Sequence, residues 1–270
     1  MITRIKNESR WIRRNLERTF QVASAVVIWD DGSTDDTERI CDAAAKAAHP
    51  KSSVVYYPWG WVREWNGAGG ACHYLRSPFA EGSLSYTIRS EQRVNEIRDK
   101  NALWSYCKVK VPFTYVLCLD GDEMLSNLAV ERFPTYLKRL DDGTDAIAFP
   151  FVFLWDSETQ RRSDGIYNST WHIRLFTIQR LSPGELFGST FASRNPGGFH
   201  CGWVPFQPKK IEACREEIVH FGYIDAGLRE EKLRFYTRID PTGEAGYTHV
   251  VGRPNSIAPG PLKVEPWSDT

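Results

Sequence analysis

Residues Ala25–Thr37 read AVVIWDDGSTDDT, and this stretch decides the class of fold. An apolar, β-branched run ends abruptly at Asp30. The run is too short for a buried helix and is typical of a buried parallel strand. The spacing of Ser33–Asp36 is that of a capping box, which predicts that a helix follows. The stretch therefore predicts a strand, a polar turn and a helix in direct succession.

The neighbouring segments continue this alternation. Met1–Ile5 is β-prone, Asn7 can cap a helix over residues 8–20, and Val54–Tyr57 is the next strand. This order predicts an α/β fold with a mainly parallel sheet flanked by helices, in a single domain of residues 1–250. Residues 251–270 are rich in proline and are predicted to form a C-terminal tail.

The composition excludes a partner that is attracted by the net charge of the whole chain. The 270 residues carry 34 basic and 34 acidic side chains, so no net field draws the chain to nucleic acid or membrane. No run approaches the roughly 18 apolar residues that span a bilayer. The N-terminus lacks the apolar core of a signal peptide. The six cysteines show no CxxC pair. Cys41 in a helix-like run and Cys118 in a strand-like run are interpreted as buried thiols of a reducing compartment, so we expect a cytoplasmic protein.

A second apolar run, Tyr115–Leu119, ends in the acidic segment DGDE at 120–123. Ligands of open parallel sheets bind beyond the carboxyl ends of the strands. Neighbouring carboxylates repel unless a cation joins them, and Mg²⁺ usually combines one or two carboxylates with substrate phosphates. Gly121 leaves space for a phosphate to approach. The segment therefore predicts a metal that holds a diphosphate, with a polar turn as the alternative.

Residues 58–90 hold three tryptophans and no clear periodicity, and are predicted to form an irregular, functional excursion. Trp59, Trp61 and Trp65 can stack on sugar rings or bases. They can equally cover one side of the sheet, and both interpretations stay open.

Four segments, taken in order, resemble family 2 glycosyltransferases of the GT-A (Rossmann-like) fold. ITRIKNESRWI is similar to the family's first strand and its Lys-Asn-Glu turn, and VVIWDDGSTDDT to its nucleotide-binding strand end. RDKNALW, at 98–104, resembles the helix that precedes the metal motif, and YVLCLDGDEML resembles the DxD segment. The resemblance covers residues 1–57 and 91–128.

The resemblance implies a nucleoside diphosphate sugar, expected to be a UDP-sugar, as donor, and Mn²⁺ or Mg²⁺ as cofactor. Asp31 would accept a hydrogen bond from the base, Asp120 would approach the ribose and the metal, and Asp122 would ligate the metal. The metal would neutralise the leaving diphosphate. Residues 1–128 would form the nucleotide-sugar half and residues 129–250 the acceptor half. The remaining residues implied for donor binding are Thr3, Arg4, Asp30, Arg98 and Asn101.

The chain after the metal motif departs from the family. Inverting transfer needs a base that deprotonates the acceptor. GGFHCGWVP carries His200, but Cys201 stands where relatives carry Glu. The candidate bases are His200, Asp164, Glu158 and Glu185. HFGYIDAG, at 220–227, resembles a late family segment and makes His220 a candidate metal ligand, since neutral imidazole binds metals. A structural role is the alternative for both histidines.

The favoured function is sugar transfer to an acceptor hydroxyl in surface glycan synthesis, with a glycan or a lipid-linked sugar as acceptor. Peripheral membrane contact would use the arginine row of residues 10, 13, 14 and 18, for which a solvated helix face is the alternative. A second candidate is the bacteriophage-type glycosylation of hydroxymethylated DNA bases, which the neutral charge disfavours. Nucleotidyl transfer lacks a glycine-rich loop within Met1–Arg10, and a non-catalytic nucleotide-binding role is disfavoured by the intact Asp120/Asp122 pair.

Overall fold

The computed structural model describes residues 1–49, 51–57, 60–67, 70–76, 96–192, 202–239 and 247–269. The chain divides into two compact units, each drawn from three separate stretches. The first contains Met1–Gly121, Pro134–Ile147 and Ile173–Glu212, and the second contains Asp122–Phe133, Ala148–His172 and Ala213–Thr270. The division into a donor half and an acceptor half at residue 128 stays a prediction.

Strand and helix alternate over the first five elements, and beyond them two or three strands follow each other between helices. The helices are α1 (Ile12–Val22), α2 (Thr37–Ala48), α3 (Glu96–Lys110), α4 (Asn127–Asp141), α5 (Pro183–Gly188) and α6 (Ala226–Ile239). The strands are β1 (Ile2–Ile5), β2 (Ala25–Asp30), β3 (Lys51–Tyr57), β4 (Gly60–Gly67), β5 (Gly70–Arg76), β6 (Tyr115–Leu117), β7 (Glu123–Leu125), β8 (Ala146–Trp155), β9 (Ser157–Arg162), β10 (Trp171–Thr177), β11 (Ile211–Ala213), β12 (Ile218–His220) and β13 (Val264–Pro266).

The first unit contains a five-stranded sheet in the order β1-β2-β5-β4-β3. β2 lies between β1 and β5 and is parallel to both, with Val27 opposite Ile2 on one side and His73 on the other. α3 packs against β1 and β2, and α1 packs against α2 and β2. The apolar run of β2 is buried, as a strand with a neighbour on each side requires. The prediction of an α/β fold with helices flanking the sheet is confirmed.

The sheet is mixed because of the segment that was predicted to be irregular. β4 and β5 lie within residues 58–90 and pair antiparallel with each other, while β3 pairs antiparallel with β4. Connections this short cannot cross over a sheet, so the three strands form a meander. β5, and not β3, is the parallel neighbour of β2. Trp65 is buried on β4, Trp59 lies outside the described residues, and nothing is described of the side chain of Trp61.

The two turns that follow β1 and β2 hold each other, and this changes both predicted helix starts. Asn7 adopts a left-handed φ of 55°, and its side-chain Oδ1 accepts a hydrogen bond from Thr34 N at 2.8 Å. Asn7 therefore does not cap α1, which begins at Ile12. Ser33 donates to Asp30 at 2.7 Å and does not cap α2, which begins at Thr37. The predicted cap and the predicted capping box are both wrong, because these side chains are used between turns.

Outside the five-stranded sheet, the first unit also pairs β10 antiparallel with β6, with Phe176 opposite Val116. In the second unit, β12 pairs antiparallel with β7 and parallel with β8. β9 pairs with β8 and with β13, so the predicted C-terminal tail contributes a strand. The C-terminal segment also packs closely against Gly165, where an added Cβ would lie 2.6 Å from the Cα of Ala258.

Candidate functional site

In the first unit, the two carboxylates that end β2 have different partners. Asp30 is fully buried and accepts from the backbone N of Ser33 at 2.8 Å, from the Ser33 hydroxyl at 2.7 Å, and from the hydroxyl of Tyr74. These contacts hold the turn after β2. Asp30 therefore supports the loop, whereas its predicted place in the donor pocket stays a prediction.

Asp31 faces a different set of groups. Its Oδ2 accepts from Arg4 Nη2 at 2.8 Å, and Lys6 Nζ lies 4.0 Å away. Burial raises the pKa of Asp31, and the nearby Asp99 acts with burial, while the charge of Arg4 opposes both. Arg4 also donates from Nε to Asp99 at 3.2 Å, which holds this second acid near Asp31. The guanidinium of Arg4 thus donates hydrogen bonds to two buried carboxylates, which come from two different sequence motifs.

The helix segment RDKNALW supplies three charged side chains and one amide to this region. Arg98 forms an ion pair with Asp99 at 2.8 Å. Asn101 donates to the carbonyl of Phe191 at 3.1 Å and accepts from its backbone N at 2.7 Å. Both polar ends of Asn101 are therefore used to hold the backbone at Phe191, and Phe191 in turn lines a cavity.

This cavity is small, is open to solvent on one side, and lies in the first unit. Its floor is mostly apolar, with a few polar groups from β1, α3 and the end of β6, which is the usual composition of a small-molecule site. Thr3 is 2% exposed, and its hydroxyl has no hydrogen-bond partner among the described residues. Asp31 is not part of the lining. The lining residues are Ile2, Thr3, Arg4, Lys100, Leu103, Cys118, Leu119, Asp120, Phe191 and Trp203.

Two residues of this region were missed by sequence reasoning. The guanidinium carbon of Arg174 lies 3.1 Å from the ring centroid of Trp203, and Lys100 Nζ lies 4.0 Å from the same centroid. Arg174 is 1% exposed, and its Nη2 lies 3.8 Å from Asp120 Oδ2. The available signal was an arginine inside the apolar strand HIRLFT, since a buried arginine needs a charge or a ring as partner.

The second unit contains a separate polar cluster around Asp122. Lys232 Nζ of α6 lies 2.9 Å from Asp122 Oδ2, and His220 Nε2 of β12 lies 3.5 Å from the same oxygen. Burial would raise the pKa of Asp122, but the charges of Lys232 and His220 outweigh it, so the pKa is lowered. Burial would likewise lower the pKa of Lys232, and the carboxylate of Asp122 raises it instead.

Gly222 makes this convergence possible. A Cβ at position 222 would lie 2.2 Å from Asp122 Oδ2, 2.2 Å from Lys232 Nζ and 2.6 Å from His220 Cε1. The backbone N of Phe221 also donates to the carbonyl of Asp122 at 2.8 Å. The HFGY segment therefore places His220 at the carboxylate and leaves room for the ammonium.

Asp122 and His220 fit a divalent cation as two of its ligands. His220 Nε2 lies 3.5 Å from Asp122 Oδ2, near the roughly 3 Å between adjacent ligand atoms of an octahedral ion whose metal–ligand distances are about 2.1 Å. The ammonium of Lys232 lies on this same oxygen, so it would have to move before an ion binds there. Among the residues that the structure describes, no group of three or more His, Cys, Asp or Glu is placed to hold a metal. Substrate oxygens would have to complete the coordination.

Two of the predicted bases are engaged in structural contacts. Asp164 is buried and receives two hydrogen bonds from Arg162, at 2.8 and 2.7 Å. Burial alone would raise the pKa of Asp164, but these hydrogen bonds lower it. Glu185 is exposed and completes the capping box of α5 with Ser182, whose backbone N–H lowers its pKa. Glu158 is exposed on β9, and His200 lies outside the described residues.

The arginine row predicted for membrane contact lies on and before α1. Arg10, Arg13 and Arg14 are exposed, Arg18 is half-buried, and Arg13 pairs with Glu17 at 3.8 Å. In the described part of the chain, no helix combines the length and apolar character needed to cross a bilayer. The five cysteines within the described ranges are buried and form no disulfide, and the localisation inferred from thiols stays a prediction.

Neither a protein-family model nor a curated protein sequence matches this chain. Among solved structures, it is similar to a crystal structure of S. aureus TarS 1–349, with a TM-score of 0.45, 10% identity, and coverage of 93% of this chain and 68% of that one. A crystal structure of S. aureus TarS gives a TM-score of 0.46 and 11% identity over 92% of this chain and 40% of that chain. Similarity at this level assigns no activity.

Proposed function

We propose that this chain is a glycosyltransferase that moves a sugar from a nucleoside diphosphate sugar to an acceptor hydroxyl. One observation carries the proposal. Within the first unit, side chains from the separate motifs meet: Arg4 pairs with Asp31 and Asp99, and Arg4 and Asp120 line the same cavity. Motifs that resembled one family in sequence are thus neighbours in space.

In this proposal the cavity takes the nucleoside of the donor. Its apolar lining suits a base and a ribose, and the buried hydroxyl of Thr3 supplies a hydrogen-bonding group that no described residue uses. Asp120 faces the ribose. Asp31 acts on the donor through Arg4, whose guanidinium it holds in place. A UDP-sugar is the proposed donor, and a glycan or a lipid-linked sugar is the proposed acceptor.

The same proposal assigns the diphosphate end to the DxD segment. Asp122 and His220 would hold Mn²⁺ or Mg²⁺, with Asp120 as the further ligand that the sequence motif implies. When bound, the metal supplies positive charge to the departing diphosphate. Lys232 Nζ, 2.9 Å from Asp122 Oδ2, balances the charge of this carboxylate. The base that deprotonates the acceptor stays a prediction, because Asp164 and Glu185 are held by structural contacts.

A donor-hydrolysis screen tests the proposal. Purified protein is incubated with Mn²⁺ and a panel of nucleotide sugars, and release of nucleoside diphosphate is measured for wild type and Asp122→Ala. Asp142→Ala is the matched control, since Asp142 is an exposed carboxylate paired with Lys138. We expect release from one donor, loss in Asp122→Ala and no loss in Asp142→Ala. The proposal is contradicted if no nucleotide sugar releases nucleoside diphosphate and calorimetry detects no nucleotide binding.

The cavity is tested separately by fluorescence. Trp203 lies in the cavity lining, so bound UDP is expected to change tryptophan emission, and Trp203→Phe is expected to remove most of that change. Trp267, which donates to Glu217 in the second unit, provides the matched control Trp267→Phe. An emission change that is equal in both variants would contradict the placement of the nucleoside.

A further inference from the structure

The pair formed by Lys232 and Asp122 has a feature that a purely structural ion pair does not need. The side chain of Asp122 is 11% exposed, whereas that of Lys232 is 30% exposed. The carboxylate is therefore enclosed, while part of the lysine side chain reaches solvent. A lysine stem is flexible, so its ammonium can move off the carboxylate without a change in the backbone.

We propose that Lys232 is a resident counter-cation that competes with divalent metal for Asp122. This inference rests on the proposed function only in taking Asp122 as a metal ligand. In the absence of metal, the ammonium occupies Oδ2 at 2.9 Å and balances the carboxylate. Lys232 must release that oxygen, or share the carboxylate at a cost, before a divalent ion is fully bound.

The competition follows from charge alone. Two cations on one carboxylate repel each other, and the repulsion is strong where burial lowers the effective dielectric constant. His220, whose Nε2 lies 3.5 Å from Asp122 Oδ2, would add a neutral ligand for the metal but offers no negative charge to offset the ammonium. Asp122 is therefore a weak metal site as long as Lys232 remains on it.

The released ammonium has a nearby surface within the second unit. Lys232 Nζ lies 5.2 Å from the centroid of the Tyr223 ring, and aromatic faces attract ammonium groups at such distances. A donor diphosphate would supply negative charge to the same ammonium. Metal and diphosphate should then strengthen each other's binding, because linkage between two ligands is reciprocal.

The test measures Mn²⁺ binding to the full chain with no nucleotide present. Isothermal calorimetry and the electron paramagnetic resonance signal of free Mn²⁺ give the dissociation constant for wild type, Lys232→Met and Lys232→Gln. We expect both variants to bind Mn²⁺ at least about tenfold more tightly than wild type, the effect of removing one charge at this distance. Lys232→Arg retains the cation and is expected to match wild type.

Arg234→Met is the matched control, since Arg234 is an exposed cation two residues away on α6. We expect it to leave Mn²⁺ affinity within about twofold of wild type, as exposed charges are well screened. Asp122→Asn combined with Lys232→Met is expected to remove the gain in Mn²⁺ affinity that Lys232→Met gives alone. Circular dichroism confirms that each variant is folded.

Three results would overturn the inference. They are unchanged Mn²⁺ affinity in folded Lys232→Met and Lys232→Gln, an equal gain in Arg234→Met, and a gain that survives Asp122→Asn. Failure of the proposed function is distinguishable, because it would show as absence of UDP binding in every variant while the Mn²⁺ comparison still gives its result.

Discussion

Asp31 in the first unit and Asp122 in the second are both buried carboxylates that accept a hydrogen bond from a cation, yet folding moves their pKa values in opposite directions. Burial together with the charge of Asp99 raises the pKa of Asp31 and outweighs Arg4, Lys6 and Arg98, which lower it. At Asp122, burial is outweighed by the charges of Lys232 and His220. Proximity to a cation therefore does not by itself set the direction in which folding moves the pKa of a buried acid. A second acid nearby also matters.

The largest difference between the two carboxylates is expected in catalysis. Asp122→Asn should lower kcat for donor hydrolysis by about 100- to 1000-fold, the usual cost of removing a group that stabilises transition-state charge. Asp31→Asn should mainly raise KM, by about tenfold, since it loosens Arg4 at the nucleoside cavity. Steady-state kinetics on the donor found in the screen measure both. Equal losses of kcat would mean that the two carboxylates do not have separate roles.

A smaller difference is expected in stability at neutral pH. Asp122→Asn removes the counter-charge of Lys232 and should lower the free energy of unfolding by about 2–4 kcal/mol. Asp31→Asn should cost about 1 kcal/mol, because Arg4 retains Asp99 as a partner. Urea denaturation followed by circular dichroism gives both values. A larger loss in Asp31→Asn would reverse the comparison.

A glycine lies beside each of the two carboxylates, and its replacement by alanine is expected to have a different effect at each one. Gly32 follows Asp31 with a φ of 75°, so Gly32→Ala strains the backbone and should cost about 1 kcal/mol. Gly222→Ala places a methyl group against Asp122 and Lys232 and should cost about 1–3 kcal/mol. Only Gly222→Ala should change Mn²⁺ affinity. Gly184→Ala, with no atom within 4 Å of the added Cβ, is the control and should leave Mn²⁺ affinity unchanged without lowering stability.

The smallest expected effect is a change of these stability differences with pH. Folding lowers the pKa of Asp122 below its ordinary value of 3.8, so the stability it contributes is present above that pH and is lost as the pH falls below it. The penalty of Asp122→Asn should therefore shrink between pH 5 and pH 3, by less than about 2 kcal/mol. Folding raises the pKa of Asp31, so the penalty of Asp31→Asn should not shrink over that range. Urea titrations at each pH provide the test.

Local sequence was sufficient for the elements near the first motifs and insufficient for their pairing. The run at Ala25–Trp29 predicted β2 correctly, because a short β-branched run between polar turns has few alternatives. The meander of β3, β4 and β5 was missed because tryptophan and glycine within residues 58–90 obscure the alternation of a strand. Which strand lies beside β2 depends on pairing across about 45 residues, and such pairing leaves no local pattern.

The residues of the candidate site were likewise predicted only in part from the sequence. Sequence motifs indicated Arg4, Asp31 and Asp120, which the structure places in one region of the first unit. They did not indicate Arg174 or Trp203, whose partners are distant in the chain. Lys232 is 110 residues from Asp122, and no local sequence pattern links the two residues. Pairwise charge contacts at such separations become visible only in three dimensions.

That separation of 110 residues also has a consequence for biosynthesis. At roughly 5–20 residues per second, the ribosome needs about 5–20 seconds after adding Asp122 to add Lys232. His220 and Gly222 are added only about ten residues before Lys232. The nascent chain therefore carries Asp122 as a lone, hydrated acid during this interval, and β7 lacks its partner strand β12. The ion cluster is among the last features to assemble as the polypeptide is made.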